Sequence, residues 1–156
     1  MEKTPVVVIG SGPAGEGAAM MAAKNRCKVA LIERHREVGG GCTHWGTIPS
    51  KALRQAVKTL YDARRSPLLR EFRNSLNVSF PRLLSSAGSV IDAQVASRRR
   101  FYDRNRVPIL SGDAWFVDDH TVEVRSDSAE TTRVTADNIV IATGSRPYHP
   151  PELDFS

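Results

Sequence analysis

Two groups of residues in this sequence could do chemistry. Gly10, Gly12 and Gly15 stand at G-x-G-x-x-G spacing directly after the apolar run Pro5-Val6-Val7-Val8-Ile9. In such a pattern the first glycine permits a tight turn, the second lets main chain approach a pyrophosphate, and the third lets a helix pack close to a strand. Pro13 and Ala14 open the helix expected next, whose N-terminus aims free N–H groups and partial positive charge at an anion. Glu33 ends a second apolar run, Lys28-Val29-Ala30-Leu31-Ile32, where a dinucleotide fold places the carboxylate that accepts from ribose hydroxyls. A carboxylate there repels a 2′-phosphate, which suits FAD or NAD and argues against NADP at this position. The second group runs from Gly39-Gly40-Gly41-Cys42 through His44, Trp45 and Thr47 to Lys51. It brings a thiol, an imidazole, a hydroxyl and an ammonium into one short stretch. Consecutive glycines cost chain entropy, so the stretch either needs backbone at close range or is a flexible turn.

These residues need elements to hold them. The run over 5–9 predicts a central parallel strand buried on both faces, and the run over 28–32 predicts its neighbour. Between them, Ala14, Ala18, Ala19, Met20, Met21, Ala22 and Ala23 are helix-compatible. Residues 34–41 read as a polar loop. Pro49-Ser50-Lys51 predicts a helix start or a kink, followed by Leu53, Ala56, Val57, Leu60, Tyr61 and Arg64 at helical spacing as far as Ser66-Pro67. Residues 68–78 read as a polar connection. Ser79-Phe80-Pro81 predicts a helix entry with Ser79 as N-cap, and an apolar stripe continues to about Asn105. The basic cluster Arg98, Arg99, Arg100, Arg104 and Arg106 reads as a solvated helix end complementing the dipole, or else as an anion site. Val107–Gly112 predicts a strand. Ala114–Val117, Thr121–Val124 and Thr131–Val134 predict a small antiparallel meander, with Asp127-Ser128-Ala129-Glu130 as one turn. Asn138–Ala142 predicts a further buried strand.

Composition sets outer bounds. A chain of 156 residues with a formal net charge of +5 is one domain's worth, and its modest basic excess fits phosphate-bearing ligands without calling for nucleic acid. No apolar run is long enough to span a bilayer and no signal-peptide pattern is present, so neither a membrane nor a nucleic-acid partner is expected. Cys27 and Cys42 lack zinc spacing and are too few for a disulfide scaffold, which makes a cytoplasmic address the simplest expectation and no metal site expected. Cys27 reads as structural.

The stretch Gly39-Gly40-Gly41-Cys42 with Pro49 and Lys51 resembles the Gly-Gly-x-Cys-x4-Cys-x-Pro-x-Lys pattern of the FAD-dependent pyridine nucleotide–disulfide oxidoreductases. The second cysteine of that pattern falls here on Thr47, as in the transhydrogenating branch of the family. The resemblance extends over most of the chain. It implies an α/β, three-layer Rossmann-like FAD/NAD(P)-binding fold with an added antiparallel β-meander. It also implies FAD as cofactor and NAD(P) as substrates. It places the pyrophosphate at Gly10, Gly12, Pro13, Ala14 and Gly15, and the adenosine ribose at Glu33 with Arg34 beside it. Adenine is implied against Gly112 to Ala114, with further contacts from Gly40, Gly41, Cys42, Thr143 and Gly144. Lys51 is implied to favour the reduced flavin.

In the resembled family two cysteines cycle between disulfide and dithiol. A threonine forms no disulfide and does not ionise near neutral pH, so electrons on a reduced flavin must leave on another soluble acceptor. The activity implied is FAD-mediated hydride transfer between NADPH and NAD⁺, with Lys51, Thr47 and Cys42 at the reacting end. Cys42 reads equally as a redox thiol or as a small buried hydrophobe. Residues 1–156 are expected to form the N-terminal segment of an FAD-binding domain, without the family's NAD(P) domain, second FAD segment or dimerisation domain. The intact enzyme is expected to be a homo-oligomer and this segment inactive alone. Two other classes stay open: a dihydrolipoamide dehydrogenase-like or other disulfide or quinone reductase, and a catalytically silent nucleotide-binding domain. Trp45 is expected to pack in the core, and His44 shows no partner in the sequence.

Overall fold

The computed structural model describes residues 2–128, 130–146 and 148–154; Ala129, placed by the sequence in a turn, lies outside them. Its centre is a six-stranded sheet in the order β3-β2-β1-β6-β5-β4. The strands are β1 (Glu2–Ile9), β2 (Val29–Glu33), β3 (Ile109–Ser111), β4 (Asp113–Asp118), β5 (Thr121–Arg125) and β6 (Thr131–Ile141). The helices are α1 (Pro13–Lys24), α2 (Gly40–His44), α3 (Thr47–Arg65) and α4 (Phe80–Arg104), with a 3-10 segment over Pro67–Phe72. β1 runs parallel to β2 on one side and β6 on the other, and β2 runs parallel to β3. β4, β5 and the first half of β6 form an antiparallel meander.

Side chains alternate across the two central strands, as the pleat requires. Val7, Ile9, Ala30 and Ile32 face a layer made by Val122, Val124, Val134 and Ala136 of the meander. Val8, Val29 and Leu31 face Ala19 of α1 together with Val95 and Tyr102 of α4. The sheet therefore curls over itself on one side and is covered by helices on the other. Burying each aliphatic side chain of this core contributes roughly 2 kcal/mol, so the two-sided burial is the main source of cohesion. Tyr102 is fully buried, and its hydroxyl has no hydrogen-bond partner among the described residues. Burial, with Glu16 adding to it, pushes that phenol well above the ordinary tyrosine range, so it stays neutral.

The architecture is the expected α/β fold with a meander, but several local expectations change. The third meander strand and the last strand are one continuous β6, and its end, expected to be buried, leaves Val140 and Ile141 exposed. Val134 and Ala136 both face the core, and the strand pairs with β5 as far as Thr135 before running on along β1. Polar Thr135 and Asp137 alternate with the buried residues and leave the strand unbroken. Gly40 and Gly41 belong to a short helix rather than to a loop. α3 begins at Thr47, ahead of Pro49, because the first turn of a helix needs no N–H from its residues. Ser79 precedes α4 without a side-chain capping bond. Arg98 and Arg99 are not merely a solvated helix end. Arg98 Nε donates to Glu16 Oε2 at 2.9 Å and Arg99 Nε to Glu37 Oε2 at 3.0 Å, tying α4 to α1 and to the segment after β2. Cys27 is exposed and unpaired, in the turn between α1 and β2, so it fills no core.

The glycines of α1 give opposite expectations. A Cβ on Gly15 would stand 1.8 Å from the Gly10 carbonyl oxygen, whereas one on Gly17 meets nothing within 4 Å. Urea denaturation should show Gly15→Ala destabilised by about 3 kcal/mol through overpacking. Gly17→Ala should be stabilised by about 0.5–1 kcal/mol through helix propensity.

Candidate functional site

The site is built where β1 meets α1. Gly10 has a φ of +101°, and a Cβ there would lie 2.4 Å from the Ala142 carbonyl oxygen of the segment after β6. Gly10 and Gly15 are thus required by the chain's own packing. Gly12 differs: its nearest neighbour on the Cβ side is the Gly40 Cα at 3.9 Å, and it lines open space. Gly12 caps α1 without a side-chain bond, Pro13 has no N–H, and the Glu16 N–H already bonds the Gly12 carbonyl. The N–H groups of Ala14 and Gly15 are left without an intrahelical acceptor, beside a cavity lined by Gly12, Pro13 and Ala14. That geometry receives an anion.

Glu33 is buried, and its carboxylate is held from behind. Oε2 accepts from the Ser11 N–H at 2.8 Å and from the Ser11 hydroxyl; Oε1 accepts from the His35 N–H at 2.8 Å. Glu33, Gly10, Arg34 and Thr143 border two connected hollows. The smaller, about 160 Å³, is floored by Gly112, Asp113 and Ala114. The larger, about 590 Å³, runs past the α1 N-terminus to Gly40, Gly41, Cys42 and Thr47, with Thr143 and Gly144 on the opposite wall. A carboxylate between a small slot and a long channel ending at a reactive stretch matches an adenosine end, a diphosphate and a ring end in sequence. The structure thus gathers Gly10, Gly12, Pro13, Ala14, Glu33, Arg34, Gly40, Gly41, Cys42, Thr47, Gly112, Ala114, Thr143 and Gly144 around two adjoining hollows that share part of their lining. Gly15 stands behind them as packing.

Lys51 is the exception. It lies one turn beyond Thr47 on α3 but lines a separate, largely apolar groove between α3 and α4, with Ile48, Leu60 and Leu83. Cys42 is exposed at the cavity and unpaired; its reading as a small buried hydrophobe is overturned. Trp45, expected in the core, is 68% exposed and lines the cavity, its ring edge-on to His35 with centroids 5.1 Å apart. His44 does have a partner: its Nε2–H donates to the Val38 carbonyl at 3.0 Å, and its ring lies 4.6 Å from that of His35. Among the described residues no cluster of three or more His, Cys, Asp or Glu side chains could hold a metal, and no helix is long and apolar enough to cross a membrane.

Sequence reasoning missed three residues that shape the site. Ser11 was only a spacer in the glycine pattern, His35 only part of a polar loop, and Thr43 was given no role. Thr43 is fully buried and donates to the Gly39 carbonyl at 2.9 Å, pinning the turn into α2. Fixed-position glycines announce themselves in sequence, whereas a serine's long-range hydrogen bond does not. The Gly12–Gly40 approach gives a direct test: a Cβ on Gly40, whose φ is +60°, would come within 2.6 Å of the Gly12 Cα. Gly40→Ala should weaken ADP binding by about tenfold or more in isothermal titration calorimetry.

Comparison with known proteins agrees with this geometry. Residues 4–154 match the family described as pyridine nucleotide-disulphide oxidoreductase. The chain is 51% identical over 150 residues to a soluble pyridine nucleotide transhydrogenase of Enterobacter sp. (strain 638), which covers 96% of this chain and 32% of the relative. A protein of the same name from Colwellia psychrerythraea is 49% identical over 158 residues, covering 99% of this chain and 34% of the relative. The chain thus spans about a third of the length of the curated relatives it matches. Among solved structures, the Cu(II) complex of the HOCl-induced flavoprotein disulfide reductase RclA from Escherichia coli superposes with a TM-score of 0.75 at 27% identity, covering 97% of this chain and 31% of that one. A glycine-rich turn, a held carboxylate, a channel and the sequence match agree: this chain belongs to the pyridine nucleotide-disulphide oxidoreductase family.

Proposed function

We propose that this chain forms the FAD-binding end of an enzyme that passes hydride between NADPH and NAD⁺. The observation that carries the reading is the reacting end of the channel, where one exposed thiol, Cys42, stands with the Thr47 hydroxyl and no second sulfur. The other cysteine, Cys27, is outside the cavity. A dithiol relay therefore has no second member in this stretch, which favours a diffusing acceptor, and the relatives' printed name makes a nicotinamide the one proposed.

The residues fit FAD. The uncapped N–H groups of α1 take the diphosphate, Glu33 accepts from the ribose hydroxyls, and the Gly112–Ala114 backbone lies along the slot for adenine. Gly40, Gly41, Cys42 and Thr47 wall the far end, with Thr143 and Gly144 opposite. Bound FAD would supply reversible hydride acceptance at its ring. The protein's part is orientation and electrostatics. Lys51 is proposed as the cation beside that ring on the strength of the motif; in this structure it borders the neighbouring groove, and its flexible stem gives it reach.

Residues 1–156 are proposed as the N-terminal segment of an FAD domain. The NAD(P) domain, second FAD segment and dimerisation domain belong to the rest of the enzyme. The whole protein is proposed as a cytoplasmic homo-oligomer; "soluble" in the relatives' printed name agrees with the address, and exposed apolar residues such as Leu68, Phe72 and Trp115 are open to packing against the rest of the protein or a second copy.

Cys42→Ser in the intact protein separates the readings. Hydride exchange predicts thio-NAD⁺ reduction by NADPH within about threefold of wild type, and no new thiols on anaerobic NADPH reduction. A disulfide reductase predicts two new thiols per flavin in the wild type and loss of disulfide turnover by about a thousandfold in the variant.

A further inference from the structure

We propose that Ser11 is a positioning residue, whose hydroxyl sets the Glu33 carboxylate for the ribose and seats the turn that closes on Gly12. The inference deepens the FAD reading and rests on it. Ser11 is fully buried. Its hydroxyl donates to Glu33 Oε2, and its oxygen accepts from the Gly39 N–H at 2.9 Å. Its own N–H gives Oε2 a second bond at 2.8 Å.

Each contact has a separate consequence. A carboxylate at the end of a flexible side chain has several rotamers, and only some present free lone pairs to a diol. Two donors from Ser11 on Oε2 and the His35 N–H on Oε1 select one orientation. Three of the carboxylate's four lone-pair sites are used by these bonds, and the one left, on Oε1, is the site for a ribose hydroxyl. The hydroxyl proton is committed to Glu33, so the Ser11 oxygen is free to accept, and it takes a buried N–H that would otherwise be unpaired. That N–H belongs to Gly39, which has a φ of +122° and precedes Gly40 at the close approach to Gly12. One hydroxyl thus joins the glycine loop, the ribose acid and the turn into α2. Alanine keeps the volume but supplies neither bond. Threonine would add a methyl where the side chain has no exposure.

The test uses FAD and its 2′-deoxyadenosine analogue, titrated into the intact apoprotein and followed by flavin fluorescence. Wild type should favour FAD by about tenfold. Ser11→Ala should lose most of that preference, as Glu33→Gln does, and the double variant should show no further loss of preference beyond Glu33→Gln alone. A loosened structure without a positioning role would weaken both ligands equally and leave the preference intact; that result overturns the inference. If Ser11→Ala does not fold, Ser11→Cys, with a similar shape and a weak donor, carries the same comparison. Wild type without any preference would overturn both this inference and the ribose role of Glu33. A preference retained in the Ser11 variants but lost in Glu33→Gln overturns this inference alone.

Discussion

Gly15 brings α1 against the Gly10 carbonyl with no space for a side chain, and Gly10 in turn lies against the Ala142 carbonyl. The rest of the site takes its position from this approach. Because α1 starts so close to β1, its uncapped N–H groups point into the crevice at the carboxyl ends of β1 and β6. That is where an open parallel sheet offers space to a ligand. Moving the helix out by the width of a methyl group would shift the anion-receiving donors and the Gly12–Gly40 contact together. Packing and binding are therefore served by the same glycines, with Gly12 alone turned to the open side.

The second organising feature is the buried carboxylate of Glu33. A charge with so little exposure is tolerated because backbone and side-chain donors surround it. The ion pairs farther out act differently. Arg98 with Glu16 and Arg99 with Glu37 hold α4 to α1 and to the segment after β2, but they are partly solvated. The exposed Arg99–Glu37 pair contributes about 0–1 kcal/mol, so its part is to fix register between elements more than to hold the fold together. The hydrophobic layers on both faces of β1 and β2 do that.

At the other end of the channel the chemistry is defined by side-chain type. Cys42 is accessible and not in a disulfide, Thr47 lines the same cavity, and Trp45 and His35 form an aromatic margin. His44 supports that margin from beneath through Val38. The groove between α3 and α4 is separate from it, and Lys51 borders that groove in this structure.

The amino-acid pattern determined much of this directly. The βαβ unit, the glycine spacing and the position of Glu33 at the end of β2 were legible because their meaning is local: a strand period, a turn, or a helix start leaves its mark within a few residues. Gly112 and Ala114 were legible only through the family pattern, yet they fall at the slot beside Glu33. Other features depended on contacts between segments far apart in the chain. The continuity of β6, the pairing of Arg98 with Glu16, the exposure of Trp45 and the three-way role of Ser11 are of this kind. Ser11 and Gly39 are 28 residues apart, and Arg98 and Glu16 are 82 apart. No periodicity or spacing encodes such pairs, because the donors and acceptors meet only after the sheet has curled and the helices have packed upon it.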